Sequence, residues 1–150
     1  MSAIKVAVAV FTLVAAIAVA PLAAAADPCT DPANAAKASD ALAKARAKDY
    51  AAADAGANAV LGACPTHAVA VQAMGQSLVA QKRYDDAIAR LTTALGAKPD
   101  LAYAYLWRGY AHYSKKQPDK MVGDFQTFLR LQPTAPEAST VRQLLASLNR

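Results

Sequence analysis

The chain has 150 residues, which suits a single domain, and its 16 basic and 11 acidic residues give a net charge of +5. Because the two signs are interspersed and form no basic block, the composition argues against a nucleic-acid-binding protein. The two cysteines, Cys29 and Cys64, form no CxxC pair and stand beside no histidine cluster, so we predict no metal site and no cofactor.

The first 26 residues differ in composition from the rest of the chain. Lys5 is their only charge, residues 6–26 are uncharged, and the stretch ends in a run of alanines before Asp27. This pattern is typical of a secretory signal peptide. We therefore predict a signal peptide over residues 1–26, cut after Ala26 or, as the near alternative, Ala25. A short lead of residues 27–33 follows, and the mature protein is secreted or periplasmic with no membrane contact.

A retained membrane anchor is the alternative interpretation of the same segment, since its uncharged stretch is long enough to span a bilayer as a helix. Pro21 and the alanine run favour a cleavage region instead. A lipid anchor is less favoured still, because Asp27 and Pro28 separate Cys29 from the small-residue box.

The chain contains an internal repeat with an offset of 34 residues, in which residues 48–65 match residues 82–99. The shared residues include a Lys-x-Tyr start and a Leu-Gly-Ala-x-Pro ending. A further 34 residues lead from Pro99 to Pro133. The chain therefore divides into three units, 34–67, 68–101 and 102–135, with residues 136–150 left over.

Each unit has the pattern of two helices separated by a tight turn. In the middle unit, apolar residues recur at spacings of three and four, as in Val71, Met74 and Leu78. Asp31, Thr66 and Asp100 precede the first helices and are the predicted N-caps. The periodicity shows no strand-like alternation, so we predict an all-α fold.

A period of 34 with small residues at unit positions 8 and 20 and proline at position 32 resembles the tetratricopeptide repeat. The middle unit matches best, with Gly75, Ala87 and Pro99 at these positions. The third unit departs from the family pattern through larger or polar residues, namely Arg108, His112, Met121 and Phe128. The first unit has polar residues where the family has apolar ones, namely Lys37, Asp40 and Lys44. The first helix is therefore either a terminal cap or slightly out of register.

The resemblance implies a right-handed α-solenoid of three helix pairs, whose small residues let helices approach closely. Residues 136–150 look like the helix that closes the last unit. The apolar face of this capping helix is predicted to comprise Val141, Leu144, Leu145 and Leu148.

A disulfide between Cys29 and Cys64 is predicted for the exported chain. Cys29 precedes the first helix and Cys64 ends the second, so antiparallel packing brings them together. Two free buried thiols are the alternative.

In the tetratricopeptide family the first helices of the units line a concave groove that holds a peptide. The positions carried over to this sequence are Arg46, Gln72, Gln76, Tyr103, Leu106, Tyr110 and Tyr113. The tyrosines are either anchors for a bound peptide or rings packed between helices. Packing is the favoured role for Tyr105 and Trp107.

No motif for catalysis is found, and His67 and His112 are more simply explained as a loop and a core histidine. We predict a non-enzymatic interaction module or scaffold of the cell envelope that binds another protein or peptide. Two alternatives remain: a structural protein that forms homo-oligomers, and an assembly factor tethered to the membrane by an uncleaved N-terminus.

Overall fold

The computed structural model of the protein describes residues 27–148. The predicted signal peptide, its cleavage site and the alternative anchor lie outside the described residues. Within the described part the chain forms seven helices and no strand: α1 Pro32–Arg46, α2 Tyr50–Ala63, α3 Ala68–Ala80, α4 Tyr84–Ala97, α5 Ala102–Ser114, α6 Pro118–Leu131 and α7 Ala138–Ser147. The prediction of an all-α solenoid of helix pairs is confirmed.

The helix ends repeat with the 34-residue period of the sequence. The first helices of the three units end at Arg46, Ala80 and Ser114, and the second helices begin at positions 50, 84 and 118. The helix α1 is therefore in register, and its polar residues Lys37 and Asp40 lie exposed on the outer side of a terminal helix. Of the two interpretations of the first helix, the structure supports the terminal cap.

Each turn between the two helices of a unit has a lysine in the left-handed backbone region, with φ of 66° at Lys48, 61° at Lys82 and 57° at Lys116. The amide of each lysine donates to the carbonyl three residues earlier, at 3.2, 3.0 and 3.0 Å. The next amide donates to the carbonyl five residues earlier, at 2.9, 2.9 and 3.0 Å. These two bonds define the Schellman helix ending, whose left-handed residue is most often glycine.

The starts of the first helices differ in part from prediction. Asp31 caps α1 as expected, and its carboxylate accepts the amide of Ala33 at 2.9 Å. The helices α3 and α5 begin one residue later than predicted, because His67 and Leu101, not Thr66 and Asp100, are their N-caps.

The closing helix is shorter than the predicted 136–150. It begins at Ala138 after Glu137, and its predicted apolar face packs only through Val141, Leu144 and Leu145. Leu148 is 44% exposed because it lies just beyond the last helical turn, so its assignment to the packed face was wrong.

The stack curves toward its first helices. Successive first helices contact each other, α1 with α3 and α3 with α5, whereas successive second helices make no such contact within residues 27–148. The second helix of each unit instead packs against the first helix of the next. The face formed by α1, α3 and α5 is therefore the inner face, and we call it the groove.

Glycines mark the closest helix contacts. A Cβ on Gly75 of α3 would lie 2.8 Å from the Cβ of Trp107 on α5, and one on Gly109 would lie 2.6 Å from the ring of Phe125 on α6. Neither distance is possible between real atoms, so both positions require glycine for this packing. Trp107 thus packs between adjacent helices, as predicted.

The core divides at α5. One buried cluster joins α1 to α5 and a second joins α5 to α7, and Tyr105 and Trp107 pack against both. In the first unit the core is built mostly from alanines, with Val60 as the largest fully buried side chain of α1 and α2.

The predicted disulfide between Cys29 and Cys64 is present, and it closes the first unit. It joins the lead before α1 to the residue that ends α2. Among residues 27–148 we find no helix that is both long and apolar enough to cross a bilayer.

Candidate functional site: the inner groove

Three tyrosines of α5, namely Tyr103, Tyr110 and Tyr113, follow one another along the groove. Tyr103 packs edge-on against Phe128 with ring centroids 5.8 Å apart, and Tyr110 packs in the same way against Phe125 at 5.1 Å. Both tyrosines are partly buried against the second core cluster. Their rings therefore support the fold, and both side chains remain partly exposed.

The hydroxyl of Tyr103 donates a hydrogen bond of 3.1 Å to Glu137, the residue before α7. Burial, the negative charge of Glu137 and this hydrogen bond raise the pKa of Tyr103, while the positive charge of Arg46 acts in the opposite direction. Burial and Glu137 also raise the pKa of Tyr110. Glu137 therefore acts on both tyrosines, and it was not among the predicted groove residues.

Tyr113 has a different environment, because it is 49% exposed. Together with Leu148 it borders a cleft of about 550 Å³ between the α5–α6 turn and the end of α7, with Met121 at the wall and Lys116 at the rim. Tyr113 and Leu148 are the exposed large hydrophobic residues of the described chain. The residues that line this cleft come from the end of α5, the α5–α6 turn, α6 and the end of α7.

Leu106 does not line the groove. It has no exposed surface and belongs to the second core cluster with Phe125 and Phe128. The prediction of a peptide-binding role for Leu106 was therefore wrong, because this position of α5 turns toward α6.

The remaining predicted groove residues occupy three different environments. Arg46 is exposed in the last turn of α1, and Gln76 on α3 is partly exposed. Gln72, one turn earlier on α3, is only 8% exposed and borders a second, smaller cleft near the start of α5.

A polar cluster outside the predicted set joins α4, α5 and α6. Arg108 donates two hydrogen bonds to the carboxylate of Asp124, at 2.9 and 2.7 Å, and a third to Thr92 at 3.1 Å. The hydrogen bonds to Asp124 raise the pKa of Arg108. His112, 6% exposed, bonds Gln117 at 2.7 Å, which agrees with its prediction as a core histidine.

The chemistry of the groove is that of a binding surface. It offers aromatic edges, amide groups, one cation and one carboxylate, which together can hold a polypeptide through apolar contacts and hydrogen bonds. Within residues 27–148, no three His, Cys, Asp or Glu side chains are placed to hold a metal ion.

Comparison with known proteins identifies the repeat. Residues 73–136 match the family model described as tetratricopeptide repeat. The TPR domain of Arabidopsis OM64 is similar in structure, with a TM-score of 0.64 at 18% identity over 75% of this chain and 93% of that domain. The first TPR domain of human RPAP3 gives a TM-score of 0.64 at 19% identity, over 76% and 93%. No curated protein matches the chain. At these identities the structural likeness shows the fold alone.

Proposed function

Because this chain is a tetratricopeptide repeat protein, we propose that it is a non-enzymatic interaction module that holds another polypeptide in the groove lined by α1, α3 and α5. The observation that carries the proposal is Tyr113, a large aromatic side chain that is 49% exposed beside an apolar cleft. Tyrosine binds well at such positions because it covers much area at a small entropic cost.

The groove also offers polar contacts that orient a chain. Glu137 holds the hydroxyl of Tyr103, and the charge of Arg46 acts on the same hydroxyl from α1. A bound polypeptide would therefore meet apolar contacts near Tyr113 and charged groups near Tyr103. Such a division fixes the direction in which the polypeptide lies.

The proposal includes export to the periplasm or out of the cell, where the protein helps to assemble or scaffold envelope proteins. The composition of residues 1–26 supports export. The disulfide between Cys29 and Cys64 supports it as well, because disulfides persist in oxidising compartments. The mass of the protein isolated from the producing cell tests this point: a chain beginning at Asp27 is expected, and an intact N-terminus would favour the tethered alternative.

Capture of a partner from the cell envelope tests the groove. The bait is residues 27–150, with Tyr113→Ala as the groove variant and Gln126→Ala, on the exposed face of α6, as the matched control. We expect the Gln126 variant to retain the partner and the Tyr113 variant to lose it while keeping its helical circular dichroism. A partner retained equally by both would exclude the groove as the binding surface.

Self-association is the second candidate function, and the exposed pair Tyr113 and Leu148 favours it. Exposed apolar side chains at the end of a solenoid promote contact between copies. Sedimentation equilibrium tests self-association. A wild-type dimer that becomes monomeric in the Leu148→Ser variant would support it, and a monomer mass at every concentration would exclude it.

A further inference from the structure

The two edges of the solenoid carry opposite charges. The first helices of the units run in one direction and the second helices return, so the turns within the units lie together at one edge and the connections between units at the other. We call residues 47–49, 81–83 and 115–117 the turn edge, and residues 27–31, 64–67, 98–101 and 132–137 the joining edge. The charged residues of the turn edge are Lys48, Asp49, Lys82, Arg83, Lys115 and Lys116. Those of the joining edge are Asp27, Asp31, Lys98, Asp100 and Glu137.

The fold produces this separation of charge, which the order of residues in the chain conceals. In the sequence the two signs are interspersed, because the chain crosses from one edge to the other with every helix. Stacking of the units then gathers the basic turns on one side and the acidic connections on the other. The expectation of a surface without a basic block therefore holds along the chain but not across the folded molecule.

Two cations of the turn edge are already paired with acidic residues in the helices beside it. Arg83 lies 2.7 Å from the carboxylate of Asp86 and 3.7 Å from that of Asp54. Lys115 forms an ion pair with Asp85. These contacts compensate the acidic residues at the starts of α2 and α4, so Arg83 and Lys115 stabilise the fold.

The other three cations of the turn edge are available to a partner. Lys48, Lys82 and Lys116 are exposed, and none of them forms an ion pair within residues 27–148. They occupy equivalent positions in units whose first helices pack side by side, so neighbouring lysines are roughly 10 Å apart. Two acidic residues remain nearby, namely Asp49, the N-cap of α2, and Asp119, in the first turn of α6. The row of lysines therefore leaves positive charge along all three units.

The three lysines also occupy positions that favour glycine. Each has a positive φ, and within the described chain they are the residues other than glycine that do. This conformation costs an L-residue free energy that it does not cost glycine. Strain of this kind is most often retained where a side chain serves function instead of stability. Its presence in three separate turns indicates that the lysine side chains act outside the fold.

We propose that the turn edge docks on an anionic lipid bilayer, with the acidic joining edge directed away from it. The attraction is electrostatic, between the ammonium groups of the three lysines and the phosphates of the lipid headgroups. This peripheral contact goes beyond the binding of a polypeptide in the groove. It also differs from the expectation, drawn from the sequence, that the mature chain has no membrane contact.

A planar anionic surface suits this pattern better than an acidic polypeptide or a nucleic acid. A plane acts on the whole molecule, attracting one edge and repelling the other, whereas a strand along the turn edge meets only the charges beside it. The side chains are lysines, hydrated point charges, and not the planar arginine forks that bind carboxylates and phosphates bidentately. Lys48 and Lys82 border neither of the clefts described above, so they offer no pocket for an anchor residue.

Co-sedimentation with sucrose-loaded vesicles tests the proposal. The protein is residues 27–150, which contain the seven helices of the described chain. One set of vesicles contains phosphatidylglycerol and phosphatidylcholine in equal parts, and the other contains phosphatidylcholine alone. We expect binding to the anionic vesicles only, and its loss when the salt is raised from about 0.1 M to about 1 M, where the screening length falls from roughly 10 Å to 3 Å. No binding to the anionic vesicles at low salt would overturn the proposal.

Variants with equal net charge locate the contact. Changing Lys48, Lys82 and Lys116 together to glutamine should weaken binding roughly 100-fold, since each lysine near an anionic surface contributes about 1 kcal/mol and 1.4 kcal/mol is a factor of ten. The matched control changes three exposed cations outside the turn edge to glutamine and should retain binding; these are Lys37, Lys98 and Arg130. Equal weakening in both variants would show attraction to net charge alone and would overturn the docking edge.

A glycine variant removes folding as an explanation. Lys48→Gly, Lys82→Gly and Lys116→Gly combined should be at least as stable as the wild type, because glycine relieves the positive φ, and should still lose vesicle binding. Retained binding would contradict the role of the lysine side chains. Polyglutamate is the competing probe: tighter binding to it than to anionic vesicles at the same concentration of negative charge would overturn the proposal in favour of an acidic polypeptide.

The vesicle experiment is separable from the test of the proposed function. Tyr113→Ala should keep its binding to anionic vesicles, and the glutamine variant of the turn edge should still capture a polypeptide partner. A protein that captures its partner but does not bind vesicles retains the interaction module and loses the membrane contact. A protein that binds vesicles through the lysines but captures no partner retains the membrane contact alone.

Discussion

Replacement of Lys82 by glycine is expected to stabilise the protein. Lys82 has φ of 61° at the turn between α3 and α4, a conformation that costs an L-residue roughly 1–2 kcal/mol and costs glycine nothing. Glycine also makes the unfolded chain more flexible, which offsets about 0.4–1 kcal/mol of that gain. The net increase in the free energy of unfolding is therefore about 0.5–1 kcal/mol.

Urea denaturation followed by circular dichroism measures this change as a higher midpoint with an unchanged slope. Lys82→Ala is the matched control, because it removes the charge but keeps the Cβ, and it should change stability by less than about 0.5 kcal/mol. Lys37→Gly, at an exposed position inside α1, should instead destabilise by about 1 kcal/mol.

The same argument applies at Lys48 and Lys116, which have the same backbone conformation in separate turns. Because the three lysines lie in separate turns, the gains should add, to roughly 1.5–3 kcal/mol for the triple glycine variant. If Lys82→Gly is less stable than Lys82→Ala, the strain argument is wrong, because the two variants differ only in the Cβ.

Three further predictions concern the helix contacts, the disulfide and the groove tyrosines. Gly75→Ala should destabilise by about 1 kcal/mol net in thermal unfolding, because overpacking at 2.8 Å outweighs the better helix propensity of alanine. Replacing Cys29 and Cys64 by serine should lower the free energy of unfolding by roughly 4 kcal/mol, the chain-entropy value for a loop of this length. The pKa of Tyr103, followed by NMR of its ring carbons, should lie above 10.0, and Glu137→Gln should lower it by removing the negative charge, while the amide oxygen of glutamine can still accept the hydrogen bond. Since the folded pKa of Tyr103 is raised, its stabilising contribution is complete below pH 10 and is lost as the pH rises through the folded value.

Each of these has its own control. The control for Gly75→Ala is Gly96→Ala, which should stabilise α4 by about 1 kcal/mol because a Cβ there meets nothing within 4 Å. If Gly75→Ala is also stabilising, the close contact between Gly75 and Trp107 is refuted. The cysteine-free protein should match the wild type measured in a reducing agent, and a stable reduced protein would show that the first unit does not depend on its disulfide. A pKa of Tyr103 that is unaffected by Glu137→Gln would refute the effect of the Glu137 charge on that hydroxyl.

The fold could be predicted from the sequence because the spacing of the repeat determines where the helices begin and end. The offset that aligns Tyr50 with Tyr84 in the sequence also aligns the starts of α2 and α4 in the structure. The disulfide was predictable for the same reason, since the helix pair brings its two ends together. The disulfide also depended on the predicted export, because disulfides persist in oxidising compartments.

The groove residues were harder to predict than the fold, because the position of a residue along a helix does not determine how the neighbouring helices pack against it. Leu106 and Tyr110 are four residues apart on α5, yet Leu106 is fully buried against α6 and Tyr110 is not. The contact of Glu137 with Tyr103 joins residues 34 positions apart through the placement of α7, which the repeat pattern does not specify.

The turn lysines and the Arg108–Asp124 pair were missed for different reasons. A lysine before the second helix gives no sequence sign of positive φ, since glycine is the residue usually expected there. Arg108 was noted only as a departure from the repeat. The i, i+4 spacing of Arg108 and His112, with Asp124 at a helix interior position, was the signal that could have identified the pair.

The disulfide has a mechanical consequence, because both of its cysteines flank a single helix pair. The bond does not cross the boundary between α2 and α3, so it holds the first unit together without limiting the angle between the first unit and the second. Bending of the solenoid at that boundary is resisted by helix packing and by the contacts of Asp54 with Gln81 and Arg83. The curvature of the groove is therefore set by non-covalent contacts, while the first unit is closed covalently.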